Sequence, residues 1–463
     1  MNAAIIGAGV IGAGWASRFA LMGWDVSIYD PSNGARKRFE AVYANAGDSL
    51  PALFEHTLPE AGTITWCKTL EEAVSGASWI QESAPERLTI KHDVFKAIQT
   101  HCPSDAIIAS STSGFKPSEL QQQSDSPEQI IVAHPFNPVY LLPLAELVGD
   151  SKTVERAAYV IKQIGMHPLH VRKEIDAHIA DRFLEAVWRE ALWLINDGVA
   201  TTEEIDNAIR YGFGLRWAQM GLFETYRLAG GDEGMAHFIE QFGPALKWPW
   251  TKLMDVPELT PELIQQIADQ SDAQSGHSSI RDLERVRDDN LVSILRALKP
   301  RRYGAGALLN ATDKRLMNSQ AVYHEEQLVT VHRVIPVDWV DYNGHMNESR
   351  YGQVFSDAAD TVLRLGGADE SYVASGGSFF TVDCHIQYRN ETLPGETIRC
   401  LTSIAPVVGK KLKLSHELRR ASDETVLASA EQLLVHVNMT TRKSAEPPEH
   451  ITIALNALRQ GPG

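Results

Sequence analysis

The sequence predicts an α/β domain, then an all-α domain, then an α+β domain. Three observations predict this order. Short apolar runs alternate with helical stretches over residues 1–175, long amphipathic patterns fill residues 176–305, and a strand, a helix and several strands follow over residues 327–442. The length of 463 residues agrees with three domains, because a domain has about 150 residues.

The composition excludes several classes of protein. Hydrophobic residues make up 44% of the chain and charged residues 22%, which is the balance of an ordinary soluble globular protein. Asp and Glu total 59 against 43 for Lys and Arg, so the formal charge is −16. Such an acidic surface repels phosphate backbones, and we expect no nucleic-acid partner. The first residues lack a signal-peptide pattern, and no apolar run is long enough to span a membrane. We therefore expect a cytoplasmic location and no membrane partner.

The cysteines show neither a CxxC motif nor the Cys/His spacing of metal ligands. We expect free, buried thiols and no metal site. The four cysteines are Cys67, Cys102, Cys384 and Cys400.

The first domain begins with a strand, a glycine-rich turn and a helix. Gly7, Gly9 and Gly12 form the pattern GxGxxG after the apolar run AAII, and Asp30 ends the second strand 18 residues after Gly12. These glycines permit the tight turn, the approach of a pyrophosphate and close helix–strand packing, while the helix N-terminus faces the phosphates. The Asp30 carboxylate suits a ribose hydroxyl and repels the extra phosphate of NADP. We predict a Rossmann domain with a parallel sheet that binds NAD.

A histidine, a carboxylate and a hydroxyl follow in the same domain. His134 lies in HPFNP, Glu146 comes 12 residues after it, and Ser113 comes 21 residues before it in SSTSG. Oxidation of an alcohol needs a base for the hydroxyl proton, which histidine supplies, and a carboxylate can fix the tautomer of that histidine. Each residue also has a structural explanation, as a core histidine, a surface carboxylate and a capping or turn serine.

Together these segments resemble the 3-hydroxyacyl-CoA dehydrogenase family. ASSTSG is similar to the ASNTSS segment of that family, and HPFNP is similar to HFFNP. The resemblance covers about residues 1–300 and implies a Rossmann domain followed by an all-α domain through which such enzymes dimerise. It also implies that Ser113, His134 and Glu146 occupy the catalytic positions.

One position departs from the family. The helical domain of the family usually begins with Asn-Arg, whereas this chain has Asp181-Arg182. Asp181 either forms a structural ion pair with Arg182 or favours a cationic substrate. The sequence YGFGLRWAQMGLFETYRLAGGDEGM further resembles the branch of the family that oxidises free 3-hydroxy acids.

Aromatic residues are frequent in the helical domain. Their faces bind quaternary ammonium groups through cation–π attraction, although most such rings pack in cores or interfaces. The aromatic candidates for substrate contact are Trp188, Trp193, Trp217, Phe223 and Tyr226, with Trp248 and Trp250 also in this domain.

The third domain carries a different motif. Asp341, Gly344, His345 and Asn347 form DxxGHxN before a long helix. This pattern resembles acyl-CoA thioesterases of the hotdog fold over about residues 327–440. The resemblance implies that Asp341 acts as nucleophile or general base and that Asn347 orients the thioester or water. Alternatively, both residues only cap the helix. Hotdog domains generally pair, so a homodimer is expected.

The remaining segments predict less structure. Residues 306–326 are interpreted as a linker and residues 443–463 as a partly disordered tail.

The two resemblances imply one bifunctional enzyme. We expect NAD-dependent oxidation of a quaternary-ammonium 3-hydroxy acid such as carnitine, and hydrolysis of an acyl-CoA thioester. The alternative is a dehydrogenase for L-gulonate or another 3-hydroxy acid, with a hotdog domain of different or no thioesterase activity.

Overall fold

The chain folds into two compact units. The computed structural model describes residues 1–229, 234–242, 250–252, 258, 260–266, 269, 277–302, 304–317 and 321–459. Unit 1 comprises Met1–Ala46 and Glu60–Leu308, and unit 2 comprises Gly47–Pro59 and Leu309–Gly463. The predicted first and second domains therefore share unit 1, except for residues 47–59 of the first, which belong to unit 2.

An eight-stranded sheet in the order β3-β2-β1-β4-β5-β6-β7-β8 forms the centre of the first half of unit 1. Apolar residues such as Ile5, Ile80 and Ile108 are completely buried along it, as expected for a sheet covered by helices. The strands are β1 (Asn2–Ile6), β2 (Asp25–Tyr29), β3 (Ile64–Trp66), β4 (Trp79–Glu82), β5 (Ile107–Ser110), β6 (Ile130–Pro135), β7 (Leu144–Val148) and β8 (His167–His170).

The prediction of a purely parallel sheet is wrong at one edge. Strands β1 to β6 are parallel, but β7 runs antiparallel to β6 and β8 is parallel to β7. Residues 136–143 alone connect β6 to β7, and a parallel crossover needs about a dozen residues or more. The chain therefore returns directly beside β6.

The helices of this half are Val10–Leu21, Ala35–Ser49, Leu70–Val74, Leu88–His101, Pro117–Leu120 and Ser151–Gln163. A short 3-10 turn lies at Pro127–Gln129, and another, Pro51–Leu53, lies in the segment that belongs to unit 2. Leu88–His101 contributes Phe95 and Ile98 to the core below the sheet, which positions the loops at the carboxyl ends of the strands.

Helices are the regular elements of the second half of unit 1 among its described residues, which confirms the predicted helical domain. Thr201 begins one helix with a capping box to Glu204, and Ser279 caps another. Gly221 has φ of 73° and interrupts the helix that contains it. The bounds are Ala180–Asn196, Thr202–Ala208, a wider turn at Ile209–Phe213, Gly214–Ala229, Gly234–Phe242, Ile280–Leu298 and a 3-10 turn at Lys299–Arg301.

Unit 2 is a long helix packed on an antiparallel sheet, which confirms the predicted hotdog-type α+β domain. The helix Glu348–Leu365 buries Phe355 and Ala358 against strand residues such as Leu418. The sheet order is β11-β14-β13-β12-β10-β9, with β15 paired to β14. Its strands are β9 (Tyr323–His324), β10 (Gln327–Val334), β11 (Gly377–Tyr388), β12 (Thr397–Ile404), β13 (Lys411–Arg420), β14 (Val426–Asn438) and β15 (Lys443–Ser444).

Two segments contain more structure than the sequence interpretation assigned. The predicted linker is mostly the helix Ala305–Leu316. The predicted tail contains the helix Glu449–Ala457, whose Ile451 and Leu455 are buried in the core of unit 2. Their apolar side chains, four residues apart, face one side of the helix and tie it down. Other short elements of unit 2 are the 3-10 turn Val337–Trp339 and the helix Glu370–Ala374.

The cysteines are free, but they are not all buried. Cys400 is buried, Cys67 and Cys102 are partly buried, and Cys384 is exposed on β11. Among the described residues, no helix is both long and apolar enough to cross a membrane.

Candidate active sites

The glycine-rich turn joins β1 to the helix Val10–Leu21. Gly7 has φ of +91°, and a Cβ on Gly12 would lie 1.9 Å from the carbonyl oxygen of Gly7. A Cβ on Gly9 would meet no atom within 4 Å, so this glycine borders open space. No side chain caps the helix that follows. Its first N–H groups are available to an anion, and these residues fit the pyrophosphate of a dinucleotide.

Asp30 lies at the end of β2, beside this turn. Its Oδ2 accepts a hydrogen bond from the backbone N–H of Ala8 at 2.7 Å, and its Oδ1 accepts from Ser32. Burial alone raises the pKa of Asp30, but these hydrogen bonds outweigh burial and hold the pKa below its usual value. An ionised carboxylate therefore stands where the ribose of NAD is held in this fold.

His134 and Glu146 are direct partners across β6 and β7. His134 Nδ1 lies 3.0 Å from Glu146 Oε2, and both side chains are nearly inaccessible to solvent. Burial raises the pKa of Glu146, but hydrogen bonds from His134 and from the N–H groups of Ala180 and Ile179 lower it overall. Because an ionised carboxylate only accepts, Nδ1 carries the proton, and in the neutral ring Nε2 is the nitrogen that can take a proton. This is the tautomer that a general base requires.

Glu146 also anchors the first helix of the helical half. Its Oε1 accepts from the backbone N–H groups of Ile179 and Ala180 at 2.9 and 3.0 Å. These groups begin the helix Ala180–Asn196, which has no side-chain cap of its own. A carboxylate at a helix N-terminus satisfies free N–H groups and interacts favourably with the helix dipole. One side chain therefore orients His134 and fixes the next helix.

Asp181 lies on the other side of the His134 ring. Its Oδ2 is 3.5 Å from His134 Nε2, and its side chain is 17% exposed. Burial raises the pKa of Asp181, the nearby Glu146 carboxylate raises it further, and His134 lowers it. The carboxylate faces the base, which does not support the structural ion pair with Arg182.

Ser113 lies in the loop after β5, where its side chain is exposed. The side-chain oxygen of Thr112 accepts from the N–H groups of Gly114 and Phe115 and stabilises this loop. The carbonyl oxygen of Thr112 contacts His178, whose ring centroid is 5.4 Å from that of His134. The loop that carries Ser113 is thus linked to the neighbourhood of the base.

The aromatic candidates do not form one cluster in the described part of the chain. The ammonium of Lys252 lies 4.0 Å above the ring of Trp193. Trp217 packs on Phe213, and Tyr226 packs on Phe238. Trp188 and Phe223 are 59% and 68% exposed, and Trp250 is exposed as well. Trp248 lies outside the described residues.

Two features of unit 1 were missed by the sequence interpretation. One is His178, which no motif marks. The other is a charge cluster at the end of β4, in which Nζ of the buried Lys91 lies 2.9 Å from Oε1 of the buried Glu82 and 3.1 Å from Oε2 of the half-exposed Glu86. Ser110 donates to Glu82 at 2.5 Å. These residues lie at the carboxyl edge of the sheet, where such folds bind ligands. Their spacing in the sequence carries no recognisable signal.

The candidate site of unit 2 is a turn before the long helix. Asp341 Oδ1 accepts from the N–H of Asn343 at 2.8 Å, and the N–H of Gly344 donates to the carbonyl of Asp341. Gly344 has φ of +81°, which favours glycine at this turn. The Asp341 side chain is half-buried. The DxxG part of the motif therefore builds the turn that presents the carboxylate.

Asn347 caps the long helix. Its Oδ1 accepts from the N–H and the hydroxyl of Ser349 at 3.0 and 2.6 Å. Asn347 therefore caps the helix, whereas Asp341 bonds within its own turn. The remaining N–H groups of the first turn are suited to stabilise a developing oxyanion.

Among the described residues, no group of three His, Cys, Asp or Glu side chains is arranged to hold a metal ion. The chemistry available to both sites comes from carboxylates, histidine, hydroxyl groups and helix N-termini. With the glycine-rich turn and Asp30, the fold and site define an NAD-binding dehydrogenase of the 3-hydroxyacyl-CoA dehydrogenase class joined to a hotdog domain.

Comparisons with known proteins agree with this class. The family models that match are 3-hydroxyacyl-CoA dehydrogenase, NAD binding domain (residues 2–175), 3-hydroxyacyl-CoA dehydrogenase, C-terminal domain (residues 178–262), and thioesterase-like superfamily (residues 335–455). The L-carnitine dehydrogenase/betainyl-CoA thioesterase of Ruegeria pomeroyi is 55% identical, and the match covers 99% of this chain and 96% of that protein.

Two shorter proteins match the dehydrogenase part. The L-carnitine dehydrogenase of Mesorhizobium japonicum is 54% identical over 68% of this chain and 89% of its own length. The crystal structure of an NAD+-dependent 5-formyl-3-hydroxy-2-methylpyridine 4-carboxylic acid 5-dehydrogenase has a TM-score of 0.54 at 29% identity, covering 64% of this chain and 98% of that one.

The chain belongs to the family of L-carnitine dehydrogenase/betainyl-CoA thioesterases. The predictions of an NAD-dependent dehydrogenase joined to a thioesterase, and of NAD as cofactor, are confirmed.

Proposed function

We propose that this chain oxidises L-carnitine to 3-dehydrocarnitine with NAD and hydrolyses betainyl-CoA to glycine betaine and CoA. The names of its full-length relatives support both substrates. The structural observation that carries the proposal is the Asp181 carboxylate, 3.5 Å from the lone-pair nitrogen of His134.

In the oxidation, His134 removes the proton of the substrate hydroxyl. Nε2 accepts this proton, and the Glu146 carboxylate at Nδ1 stabilises the resulting imidazolium. Ser113 donates a hydrogen bond to the substrate oxygen as it becomes a carbonyl. Gly7, Gly9, Gly12 and Asp30 would hold NAD, which when bound would supply the acceptor for the hydride of the carbinol carbon. Water is excluded from His134 and Glu146, since both are buried.

Asp181 selects a cation. In carnitine the trimethylammonium group is one carbon away from the carbinol carbon, so it comes within a few ångströms of the group that binds at His134 Nε2. A carboxylate there attracts this cation, and the low exposure of Asp181 limits screening by solvent. The aromatic residues Trp188, Trp193, Trp217, Phe223 and Tyr226 remain candidates for contact with the methyl groups.

NADH formation with L-carnitine, D-carnitine, L-gulonate and 3-hydroxybutyrate tests the substrate. We expect strong activity with L-carnitine alone. In Asp181→Asn, kcat/KM for L-carnitine should fall about 100-fold, because a charge pair at about 4 Å near a protein surface is worth a few kcal/mol. Activity with L-gulonate or 3-hydroxybutyrate, which carry no ammonium group, should not fall.

The matched control is Glu185→Gln, which removes a carboxylate one turn later on the same helix. Activity with L-gulonate or 3-hydroxybutyrate in place of L-carnitine would contradict the substrate assignment and support the alternative dehydrogenase.

In the hydrolysis, Asp341 acts on the thioester carbonyl as nucleophile or through water. The N-terminus of the helix Glu348–Leu365 stabilises the oxyanion, and Asn347 fixes the start of this helix. Asp341→Asn should lower betainyl-CoA hydrolysis at least 100-fold, while carnitine oxidation stays unchanged. His134→Ala should abolish carnitine oxidation, while betainyl-CoA hydrolysis stays unchanged.

Asp338→Asn removes an exposed carboxylate from the preceding turn and serves as the matched control. Unchanged hydrolysis in Asp341→Asn would exclude Asp341, and loss of both activities in either variant would contradict two independent sites.

We also propose a cytoplasmic homodimer. The strand β11 forms one end of the sheet order over twelve residues, with Phe380, Val382 and Tyr388 exposed. In unit 1, the helix Ala180–Asn196 exposes Phe183 and Leu184. Unpaired strand edges and exposed apolar faces are typical of surfaces that pair. Light scattering should give twice the 51.2 kDa chain mass; the chain mass itself would exclude a dimer.

The domain limits are proposed as 1–175, 176–305 and 327–442. Family matches over residues 2–175, 178–262 and 335–455 support this division. The buried helix Glu449–Ala457 extends the third domain beyond its predicted end.

A further inference from the structure

Residues 178–181 connect three parts of the dehydrogenase site. His178 contacts the carbonyl of Thr112 in the loop of Ser113, at 3.2 Å. The N–H groups of Ile179 and Ala180 bond to Glu146, and Asp181 faces His134. Four consecutive residues, 178–181, thus contact the loop after β5, the carboxylate that orients the base, and the base itself.

His178 is the least expected of these contacts, because its side chain is completely buried. A carbonyl only accepts hydrogen bonds, so Nε2 of His178 carries the proton and donates it to Thr112. Its Nδ1 then holds a lone pair, and this buried atom has no hydrogen-bond partner among the described residues. Burial lowers the pKa of His178 and outweighs the hydrogen bond to Thr112, which raises it, so the neutral ring is favoured.

The backbone at this point is strained. Ala177 has φ of 59° and His178 has φ of 50°, in the region that favours glycine. Such conformations persist where the surrounding contacts enforce them, and they are frequent at functional sites. An apolar ring could fill the same space, but it would give up the bond to Thr112. Packing alone therefore does not explain a histidine with one bonded and one unbonded nitrogen.

We propose that His178 is a positioning residue of the oxidation. Its hydrogen bond to Thr112 holds the loop of Ser113 at a fixed distance from His134 and from the first turn that carries Asp181. The substrate oxygen, which must bond to Ser113 and to His134 together, then meets both groups in one geometry. This inference rests on the proposed function, because it takes Ser113, His134 and Asp181 as the groups that contact the substrate.

Three variants in the full-length chain separate the hydrogen bond from packing. His178→Phe keeps a ring and removes the donor. His178→Gln places an amide nitrogen near the position of Nε2 and can restore the bond to Thr112. His178→Asn, with a shorter side chain, cannot reach as far. The KM for NAD reports on the folding of unit 1, which contains His178, and betainyl-CoA hydrolysis in unit 2 reports on the amount of intact chain.

We expect kcat for L-carnitine oxidation to fall at least 30-fold in His178→Phe and His178→Asn, with the KM for NAD changed less than threefold. His178→Gln should recover to within about fivefold of the unaltered chain. Hydrolysis should stay constant in all three. A kcat within threefold of normal in His178→Phe would overturn the inference. An equal loss in His178→Gln and His178→Phe would also overturn it, because packing would then explain the loss.

A failure of the proposed function can be distinguished from a failure of this inference. If the unaltered chain oxidises a different 3-hydroxy acid and not L-carnitine, the substrate is wrong, and the three variants are measured with the accepted substrate under the same criteria.

Discussion

The Asp30 carboxylate accepts hydrogen bonds from Ala8 and Ser32, and Arg38 Nη2 lies 2.9 Å from the hydroxyl of Ser32. A negative charge and a nearby guanidinium therefore meet where a 2′-phosphate of NADP would lie. Asp30→Ser should lower kcat/KM for NAD about tenfold and raise it for NADP about tenfold, since one charge contact is worth roughly 1.4 kcal/mol at this exposure.

Steady-state rates with both cofactors check this prediction. Asp48→Ser, an exposed change on the helix Ala35–Ser49, is the control and should leave the cofactor preference unaltered. An unchanged preference in Asp30→Ser would show that Asp30 does not discriminate.

Glu146 accepts hydrogen bonds at both oxygens, so an amide cannot replace it. In Glu146→Gln, an NH2 group must face either His134 Nδ1 or the N–H groups of Ile179 and Ala180. If it faces His134, the ring adopts the tautomer that protonates Nε2, which cannot take the substrate proton. We expect kcat to fall about 1000-fold or more, as expected when the tautomer of a base is reversed.

The same carboxylate links stability to pH. The pKa of Glu146 is lower in the folded chain than its ordinary value of 4.5. Its ionised form therefore stabilises unit 1 above pH 4.5, and this stabilisation is lost as the pH falls through the folded pKa. Urea unfolding should show Glu146→Gln to be less stable at pH 7, with a smaller difference near pH 4. An equal difference at both pH values would contradict the linkage.

Single residues also mark the limit of prediction from sequence. His134 and Glu146 were identified in the sequence because their segments resemble a known family, and the structure places them opposite each other on β6 and β7. His178 was not, because its contacts are with Thr112 and His134, 66 and 44 residues away in the sequence. Nothing local distinguishes it from an ordinary core histidine. The cap formed by Asn347 could be predicted, because it depends only on residues next to it in the sequence.

At the scale of elements, the turn between β1 and its helix allows a paired test. A Cβ on Gly12 would lie 1.9 Å from the carbonyl of Gly7, whereas a Cβ on Gly9 would meet no protein atom within 4 Å. Gly12→Ala should therefore destabilise unit 1 by about 2 kcal/mol or more. Gly9→Ala should fold normally but bind NAD at least tenfold more weakly, because the pyrophosphate needs that space.

Thermal unfolding and NAD titration distinguish the two variants, each of which is the control for the other. Normal NAD affinity in Gly9→Ala would contradict the assignment of this turn to the pyrophosphate.

Elements with a strong hydrophobic periodicity could be predicted. The direction of β7, which follows a short connection, was misjudged. The helix Glu348–Leu365 and the strands of unit 2 follow clear patterns of period 3.6 and 2. The reversal of β7 follows from a connection too short for a crossover. The helix Glu449–Ala457 carried a weaker signal, since only Ile451 and Leu455 are buried on it. Its stability comes from the core of unit 2, which no local pattern reveals.

At the scale of the whole molecule, the second unit includes residues from the first half of the sequence. Arg333 on β10 is 1% exposed and forms an ion pair with Glu55, while Asp357 lies 3.5 Å away. Burial raises the pKa of Asp357 to about 6, so it is ionised at pH 7 and remains a partial partner. The guanidinium also lies 4.3 Å from the ring of Trp339. Residues 47–59 therefore supply a counter-charge to the core of unit 2.

Glu55→Gln should lower the free energy of unfolding of unit 2 by about 2 kcal/mol. This is less than the ~3–5 kcal/mol for breaking a fully buried pair, because Asp357 remains and Glu55 is partly exposed. This prediction is checked by heating the full-length chain and measuring both activities. Hydrolysis should be lost at a lower temperature in Glu55→Gln than in the unaltered chain, with oxidation less affected. Glu60→Gln, an exposed change at the start of the next segment, is the control.

The division of the chain has one more consequence. The polypeptide passes from one unit to the other at three points, after residues 46, 59 and 308. Two enzymes joined end to end can be released from each other by one protease cut or expressed as two halves. Here a single break after residue 308 leaves residues 47–59 attached to the dehydrogenase fragment, and the thioesterase fragment lacks the Glu55 carboxylate. Separate expression of the halves therefore removes part of one enzyme.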